Sequence, residues 1–154
     1  MNATSATEPA TPEAKVFRYV RPELNGRSKK VTILGRTDIS VAAVQRVSEG
    51  GENNLHSHAT LDGYWFVLEG RVKFYTTHDE LVADLGKYEG ILIPRGYPYW
   101  FESSGDEDLE LLQVEASAAG PGSDMTKDRV DHAPVKQATL DVLTDHGRIP
   151  STNA

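Results

Sequence analysis

Two histidines separated by a single residue, His56 and His58, are the side chains of this sequence best suited to chemistry. Side chains two positions apart on a β-strand point to the same face, so both imidazoles would project in one direction. They could then share one metal ion, or they could hydrogen-bond a molecule bound between them. A stable metal site needs about three protein ligands, and this stretch supplies only two.

Short strands are predicted to hold these histidines in place. Runs rich in β-branched and aromatic residues alternate with turns rich in Gly, Asp and Ser. The predicted strands are residues 16–20, 31–35, 39–47, 64–68, 71–76, 81–85, 91–93, 97–101 and 109–116, with 64–68 and 71–76 forming a hairpin. No helical period occurs between residues 31 and 116, so the pattern predicts an all-β antiparallel barrel or sandwich.

The two ends of the chain differ from this central domain, which we place at residues 15–118. Residues 1–14 have neither a basic start nor an apolar block, which predicts a disordered lead-in rather than a secretory signal. Residues 119–154 are predicted to be a linker and a C-terminal extension. A helix is predicted at residues 134–146, because Pro134 suits a first helical turn and Gly147 a position just past the end.

Composition restricts the partners and the compartment. The 154 residues carry a net charge of −7, which argues against nucleic acid and anionic membranes as partners. No cysteine is present, so disulfides and thiolate metal sites are excluded together. The longest wholly apolar run, residues 64–68, is far shorter than the ~20 residues that span a bilayer. These features predict a cytoplasmic protein.

The spacing of glycines and prolines around the histidines resembles that of the cupin superfamily. Gly50, five residues, His56-x-His58 and then Gly70 match the first cupin motif, and Pro94-x-Gly96 matches the centre of the second. The resemblance implies an antiparallel double-stranded β-helix, or jelly-roll barrel, over roughly residues 31–116. It also implies a homodimer that pairs through its sheets, with the predicted strand at residues 16–20 extending the sheet of a neighbour.

Two cupin ligand positions carry other residues in this sequence. Gly63 stands at the position of the glutamate ligand, and Tyr99 at that of the second-motif histidine. The resemblance implies one divalent transition metal, Fe, Ni, Cu or Zn, held by His56 and His58, with Tyr99 or solvent completing the shell. The other interpretation of Tyr99 is an aromatic side chain that fills the space left by a missing metal.

Two further residues are candidates for catalysis beside Tyr99. Asp62 is the carboxylate nearest to the missing glutamate, although a regular strand would turn it outward unless a bulge at Gly63 turns it inward. Arg95 lies in the predicted turn at the barrel mouth and could hold a carboxylate or phenolate. The remaining histidines lie in polar stretches and are predicted to be surface residues: His78, His132 and His146.

Two functions fit this pattern. The first is a cupin metalloenzyme of the dioxygenase, isomerase or cyclase type that acts on a small aromatic or enolic molecule. An aromatic-rich barrel with few polar groups favours such a planar ligand. The second is a metal-free barrel that binds a small molecule without chemistry, with the histidines and Tyr99 as hydrogen-bond partners.

Overall fold

The computed structural model describes residues 11–148. Residues 1–10, most of the predicted lead-in, and residues 149–154, the end of the predicted extension, lie outside the described part. The described chain consists of antiparallel strands and one short α-helix, which confirms the predicted all-β jelly-roll class. Within residues 11–148 no helix is long and apolar enough to cross a bilayer.

The strands follow closely along the chain, and the helix comes last. They are β1 (Lys29–Arg36), β2 (Ser40–Val47), β3 (His56–His58), β4 (Leu61–Glu69), β5 (Val72–Tyr75), β6 (Leu81–Leu85), β7 (Gly90–Ile93), β8 (Trp100–Ser103), β9 (Leu109–Ser117), β10 (Arg129–Asp131) and α1 (Gln137–Asp145).

Two sheets and a short ribbon enclose the interior. The larger sheet has the order β1-β2-β9-β4-β7, the smaller sheet has the order β6-β5-β8, and β10 pairs with β3. All of these pairs are antiparallel. The core lies between the two sheets, where Phe74 and Phe101 of the smaller sheet pack close to Trp65 of the larger one.

Strand β4 shows why the sequence forms this barrel. Its residues alternate regularly: Trp65 and Val67 are buried, whereas Tyr64 and Phe66 are exposed on the outer face. This period of two is the signature of a strand with one face on a core. Gly70 then turns the chain with φ of +80°, and an added Cβ would lie 2.8 Å from the Asp108 carbonyl oxygen, so this turn requires glycine.

The structure differs from two of the strand predictions. Residues 16–20 form no strand within this chain, and Tyr19 contacts the larger sheet, where its hydroxyl donates to Glu110 at 2.6 Å; pairing of this segment with the sheet of a neighbour stays a prediction. The predicted hairpin between residues 64–68 and 71–76 also does not form. Strand β4 pairs with β7 and β9, whereas β5 pairs with β6 and β8, because the turn at Gly70 carries the chain from one sheet to the other.

The C-terminal segment is more ordered than a linker. The predicted helix at residues 134–146 is observed at Gln137–Asp145. Residues predicted as linker contain strand β10, whose Arg129 and Asp131 pair with His58 and His56 respectively. This strand completes the ribbon that carries the two histidines, so the segment is part of the site.

Candidate functional site

Strand β3 presents both histidines to one cavity, as their spacing predicts. The His56 amide donates to the Tyr99 carbonyl at 3.0 Å, and the Tyr99 amide donates back to His56 at 2.9 Å. The two imidazole ring centroids lie 5.1 Å apart with the rings nearly perpendicular. Both rings line the same cavity, together with Tyr99.

Each imidazole is oriented by an acceptor at its Nδ1 atom. Nδ1 of His56 donates to the carbonyl of Asn54 at 2.7 Å, and Nδ1 of His58 donates to the carboxylate of Asp128 at 3.0 Å. Each ring therefore keeps its Nε2 atom as the available acceptor. Burial and the nearby Arg129 hold the pKa of His56 well below its usual value, so this ring is neutral at pH 7.

A row of polar side chains crosses the cavity wall formed by the larger sheet. Gln45 donates to Gln113 at 2.8 Å, and Gln113 donates to the buried carboxyl of Glu115. Glu115 lies directly opposite Gly63 on the neighbouring strand, so its side chain points to the same face as the position of the missing glutamate. Burial raises the pKa of Glu115, which favours the protonated acid.

Two buried polar atoms on this wall are left for a ligand. Among residues 11–148, the indole nitrogen of Trp65 and the side-chain oxygen of Gln45 have no hydrogen-bond partner. An unpaired buried polar group costs roughly 1–3 kcal/mol, so such atoms are typically satisfied by water or by a bound molecule. The indole nitrogen of Trp65 can donate a hydrogen bond to a bound molecule, and the amide oxygen of Gln45 can accept one.

Two cations border the same cavity. Lys29 is 5% exposed, and Arg129 is bonded through Nε to Asp131 at 2.9 Å and through Nη2 to Asn54. Burial, followed by repulsion from Arg129, lowers the pKa of Lys29 to about 7. The cavity therefore combines two basic groups with a carboxyl whose pKa is raised and a neutral imidazole.

The cavity has a volume of about 210 Å³ and is lined at one end by the C-terminal helix. Thr139, Val142, Leu143 and His146 line this end. Drug-sized ligands occupy pockets of roughly 300–1,000 Å³, so the space suits a smaller molecule.

Comparison with known proteins identifies the family. A family model for the cupin domain matches residues 43–115. The chain is also 30% identical over 132 residues to an acireductone dioxygenase of Gluconacetobacter diazotrophicus, covering 79% of this chain and 69% of that protein. The chain belongs to the cupin family.

Solved structures agree with this cupin assignment. A double-stranded β-helix protein of Klebsiella pneumoniae is 25% identical, with a TM-score of 0.58 over 70% of this chain and 95% of that one. The cupin domain of Schizosaccharomyces pombe Cnp3 is 20% identical, with a TM-score of 0.59 over 70% of this chain and 73% of that one. The latter likeness supports the fold alone.

The donor set of this cupin does not make up a metal centre with three protein ligands. His56 and His58 keep their Nε2 atoms available, yet within residues 11–148 no three His, Asp or Glu side chains are grouped so that they could hold a metal ion. Tyr99 is 3% exposed, and burial, followed by the nearby Glu115, raises its phenol pKa well above the usual value. Ligation by Tyr99 would therefore require the metal ion itself to lower this pKa.

Asp62 and Arg95, predicted as catalytic residues, lie outside this cavity. They are bonded to each other on the surface, with Arg95 Nη1 donating to the Asp62 carboxylate at 2.9 Å and the Arg95 amide donating to it as well. Strand β4 stays regular at Gly63, so Asp62 keeps its outward position. The structure brings together only the three other predicted residues, His56, His58 and Tyr99.

The cavity is also more polar than predicted. Among the described residues, Trp65 and Tyr99 are the only Phe, Tyr or Trp side chains that line the cavity. The others pack in the core or face outward. Sequence reasoning missed the polar lining residues Lys29, Gln45, Gln113, Glu115, Asp128 and Arg129. A signal was present, since a polar residue at an inward position of an alternating strand indicates a polar pocket.

Proposed function

We propose that this cupin is an enzyme that moves protons on a small anionic or enolic molecule, in a reaction of the isomerase or cyclase type. The single observation that carries the proposal is the pairing of His58 with Asp128 beside two cavity cations. The relative named a dioxygenase and the cupin fold both make an enzymatic role reasonable.

His58 has the surroundings of a general base. Its side chain is 15% exposed, whereas the Asp128 carboxylate that holds its Nδ1 atom is 5% exposed. A buried carboxylate fixes the tautomer and stabilises the imidazolium that forms when Nε2 takes a proton. Asp128 thus acts as a positioning residue, and His58 is the group that would contact the substrate.

Arg129 and the protonated form of Lys29 favour a negatively charged substrate. Removal of a proton next to a carbonyl group produces an enolate, and nearby cations stabilise that charge in a site shielded from water. Glu115 faces the same cavity with its carboxyl pKa raised by burial, and its protonated form can donate a hydrogen bond to the enolate oxygen. The small cavity restricts the substrate to a compact molecule.

Deuterium uptake by pyruvate tests the proposal, because pyruvate is a compact acid with an enolisable methyl group. The purified protein should accelerate the loss of the methyl proton signal in deuterated buffer, as followed by proton NMR. His58→Asn retains a donor to Asp128 but no base, and should lower the rate about 100-fold or more. His78→Asn is the matched control, since His78 is exposed and Asn tolerates its left-handed backbone.

Three results would count against the proposal. The first is exchange no faster than in buffer, and the second is exchange that His58→Asn leaves intact. The third is saturable binding of pyruvate without exchange, which would favour the metal-free binding protein instead.

The dioxygenase relative favours a second candidate, a metal-dependent oxygenase. This function needs a metal ion on His56 and His58 with Tyr99 or solvent completing the shell, since the described residues offer no third His, Asp or Glu ligand. Metal analysis of untagged protein distinguishes the two candidates. The oxygenase requires near-stoichiometric metal that disappears in His56→Ala, whereas the proton-transfer enzyme keeps its exchange activity after treatment with a chelator.

A further inference from the structure

Lys29 is a buried lysine without a carboxylate partner. It is the first residue of β1, and its side chain lines the cavity with the ammonium nitrogen 5.2 Å from the ring centre of Phe101. No carboxylate oxygen within residues 11–148 lies in ion-pair distance of this nitrogen. Buried lysines are normally paired with a carboxylate, so an unpaired buried lysine indicates a functional role.

The charged residues near Lys29 do not form an ion pair with it. Glu52, the acid whose charge acts on Lys29, forms its ion pair with Lys136 at 3.2 Å. The positive charge of Arg129 disfavours a second positive charge on Lys29 in the same cavity. A lysine that is desolvated and close to another cation loses its proton readily and becomes a nucleophile. With a pKa of about 7, much of Lys29 is the free amine at pH 7 to 8.

We propose that Lys29 forms an imine with the carbonyl group of a small 2-oxo acid or aldehyde acid bound in the cavity. This inference deepens the proposed function by naming the substrate class of the same site. The amine nitrogen of Lys29 adds to the carbonyl carbon, and its proton passes to the carbonyl oxygen, giving a carbinolamine. A second proton then expels that oxygen as water, and the C=N bond forms without any change in oxidation state.

The cavity wall provides the other parts of this step. Glu115 faces the cavity, and its protonated form, which burial favours by raising the carboxyl pKa, supplies a proton for the departing water. Arg129 keeps its Nη1 atom without a protein partner among the described residues, so it is available for the carboxylate of the substrate. A protonated imine draws electrons from the neighbouring carbon, and this lowers the barrier for proton removal by His58.

Reductive trapping with glyoxylate and sodium cyanoborohydride tests the inference. Glyoxylate has an aldehyde next to a carboxylate, and reduction of its imine leaves a stable carboxymethyl group that peptide mass mapping locates. In the unaltered protein, Lys29 should be labelled about ten-fold or more faster than Lys30, with a rate that saturates as glyoxylate increases. Lys30 is the internal control, since it is the next residue of the same strand and is only half-buried.

Two variants complete the experiment. Lys29→Arg keeps a long basic side chain but has no nucleophilic amine, so only the slow labelling of surface lysines should remain. His58→Asn should retain fast labelling of Lys29, because His58 acts after the imine has formed. Labelling of Lys29 at the rate of Lys30, or without saturation, would overturn the inference, and the comparison within the unaltered protein does not depend on any variant folding.

The outcomes separate this inference from the proposed function. Fast, saturable labelling of Lys29 without deuterium exchange into pyruvate supports the imine and contradicts proton transfer. Deuterium exchange that is unchanged in Lys29→Arg supports proton transfer and overturns the imine.

Discussion

Burial of Lys29 opposes folding, and no ion pair offsets the cost. Taking the ammonium group out of water lowers the pKa of Lys29 from 10.5 to about 7. The unfolded chain therefore binds a proton that the folded chain releases between these two pH values. The free energy of unfolding must then rise with pH over this range. A chain selected for stability alone would place an apolar residue here, so the cation points to a role in the cavity.

Lys29→Met should stabilise the protein, and the gain should depend on pH. The full shift corresponds to roughly 5 kcal/mol, and we expect a gain on the order of 2–4 kcal/mol near pH 6.5 because the new side chain packs imperfectly. The gain should fall by more than half at pH 9.5, because releasing the lysine proton on folding costs less free energy as the pH approaches the unfolded pKa of 10.5. Urea unfolding at both pH values measures it, with Lys30→Met as the control for losing a lysine from this strand. A gain that does not vary with pH would contradict the burial of a charged lysine.

Helix α1 lines one end of the cavity and is linked to the barrel by surface ion pairs. The guanidinium of Arg27, which precedes β1, pairs with Asp141 at 2.9 Å and with Asp145 at 3.0 Å. The only residues of the helix that are fully buried are Ala138 and Thr139. Partly exposed ion pairs contribute little each, about 0–1 kcal/mol. The helix is therefore held weakly enough to open for a ligand without unfolding the barrel.

Arg27→Ala should loosen the helix and leave the barrel unchanged. Amide hydrogen exchange in residues 137–145 should accelerate a few-fold, whereas exchange in β4 and β9 should not change. The loss in the global free energy of unfolding should stay below about 1 kcal/mol. Mass-spectrometric hydrogen exchange measures this, and Arg71→Ala removes a comparable ion pair, with Asp84, far from the helix as a control. Equal acceleration of hydrogen exchange in residues 137–145 of both variants would contradict a specific role of Arg27 in holding the helix.

The period and the pairing of the strands explain which parts of the site could be predicted from the sequence. His56 and His58 are two residues apart on one strand, so their shared direction follows from the period of a strand alone. Asp128 reaches His58 only because β10 pairs with β3, and Glu115 faces Gly63 only through the register of β9 on β4. Such contacts depend on pairing between distant segments, which no local pattern specifies.

On the scale of the whole molecule, an apolar patch covers the outer face of the larger sheet at its edge. Tyr64, Phe66 and Leu92 are 55%, 38% and 51% exposed, and Tyr64 pairs directly with Leu92 across β4 and β7. Tyr88 stacks on Phe66 with ring centres 6.3 Å apart. Exposed apolar groups that cluster in this way typically mark an interface. The predicted homodimer therefore has a suitable surface here, even though residues 16–20 form no strand.

We expect the protein to be a homodimer in solution that pairs through this patch. Burial of such apolar area drives association, and one charge placed at its centre would have to be desolvated without a partner. Phe66→Lys should therefore convert the dimer to a monomer of the same secondary structure, as measured by light scattering and circular dichroism. Leu81→Lys is the matched control, because Leu81 is 52% exposed but lies on β6 of the other sheet. A monomeric mass for the unaltered protein, or dissociation by both substitutions alike, would contradict pairing at this face.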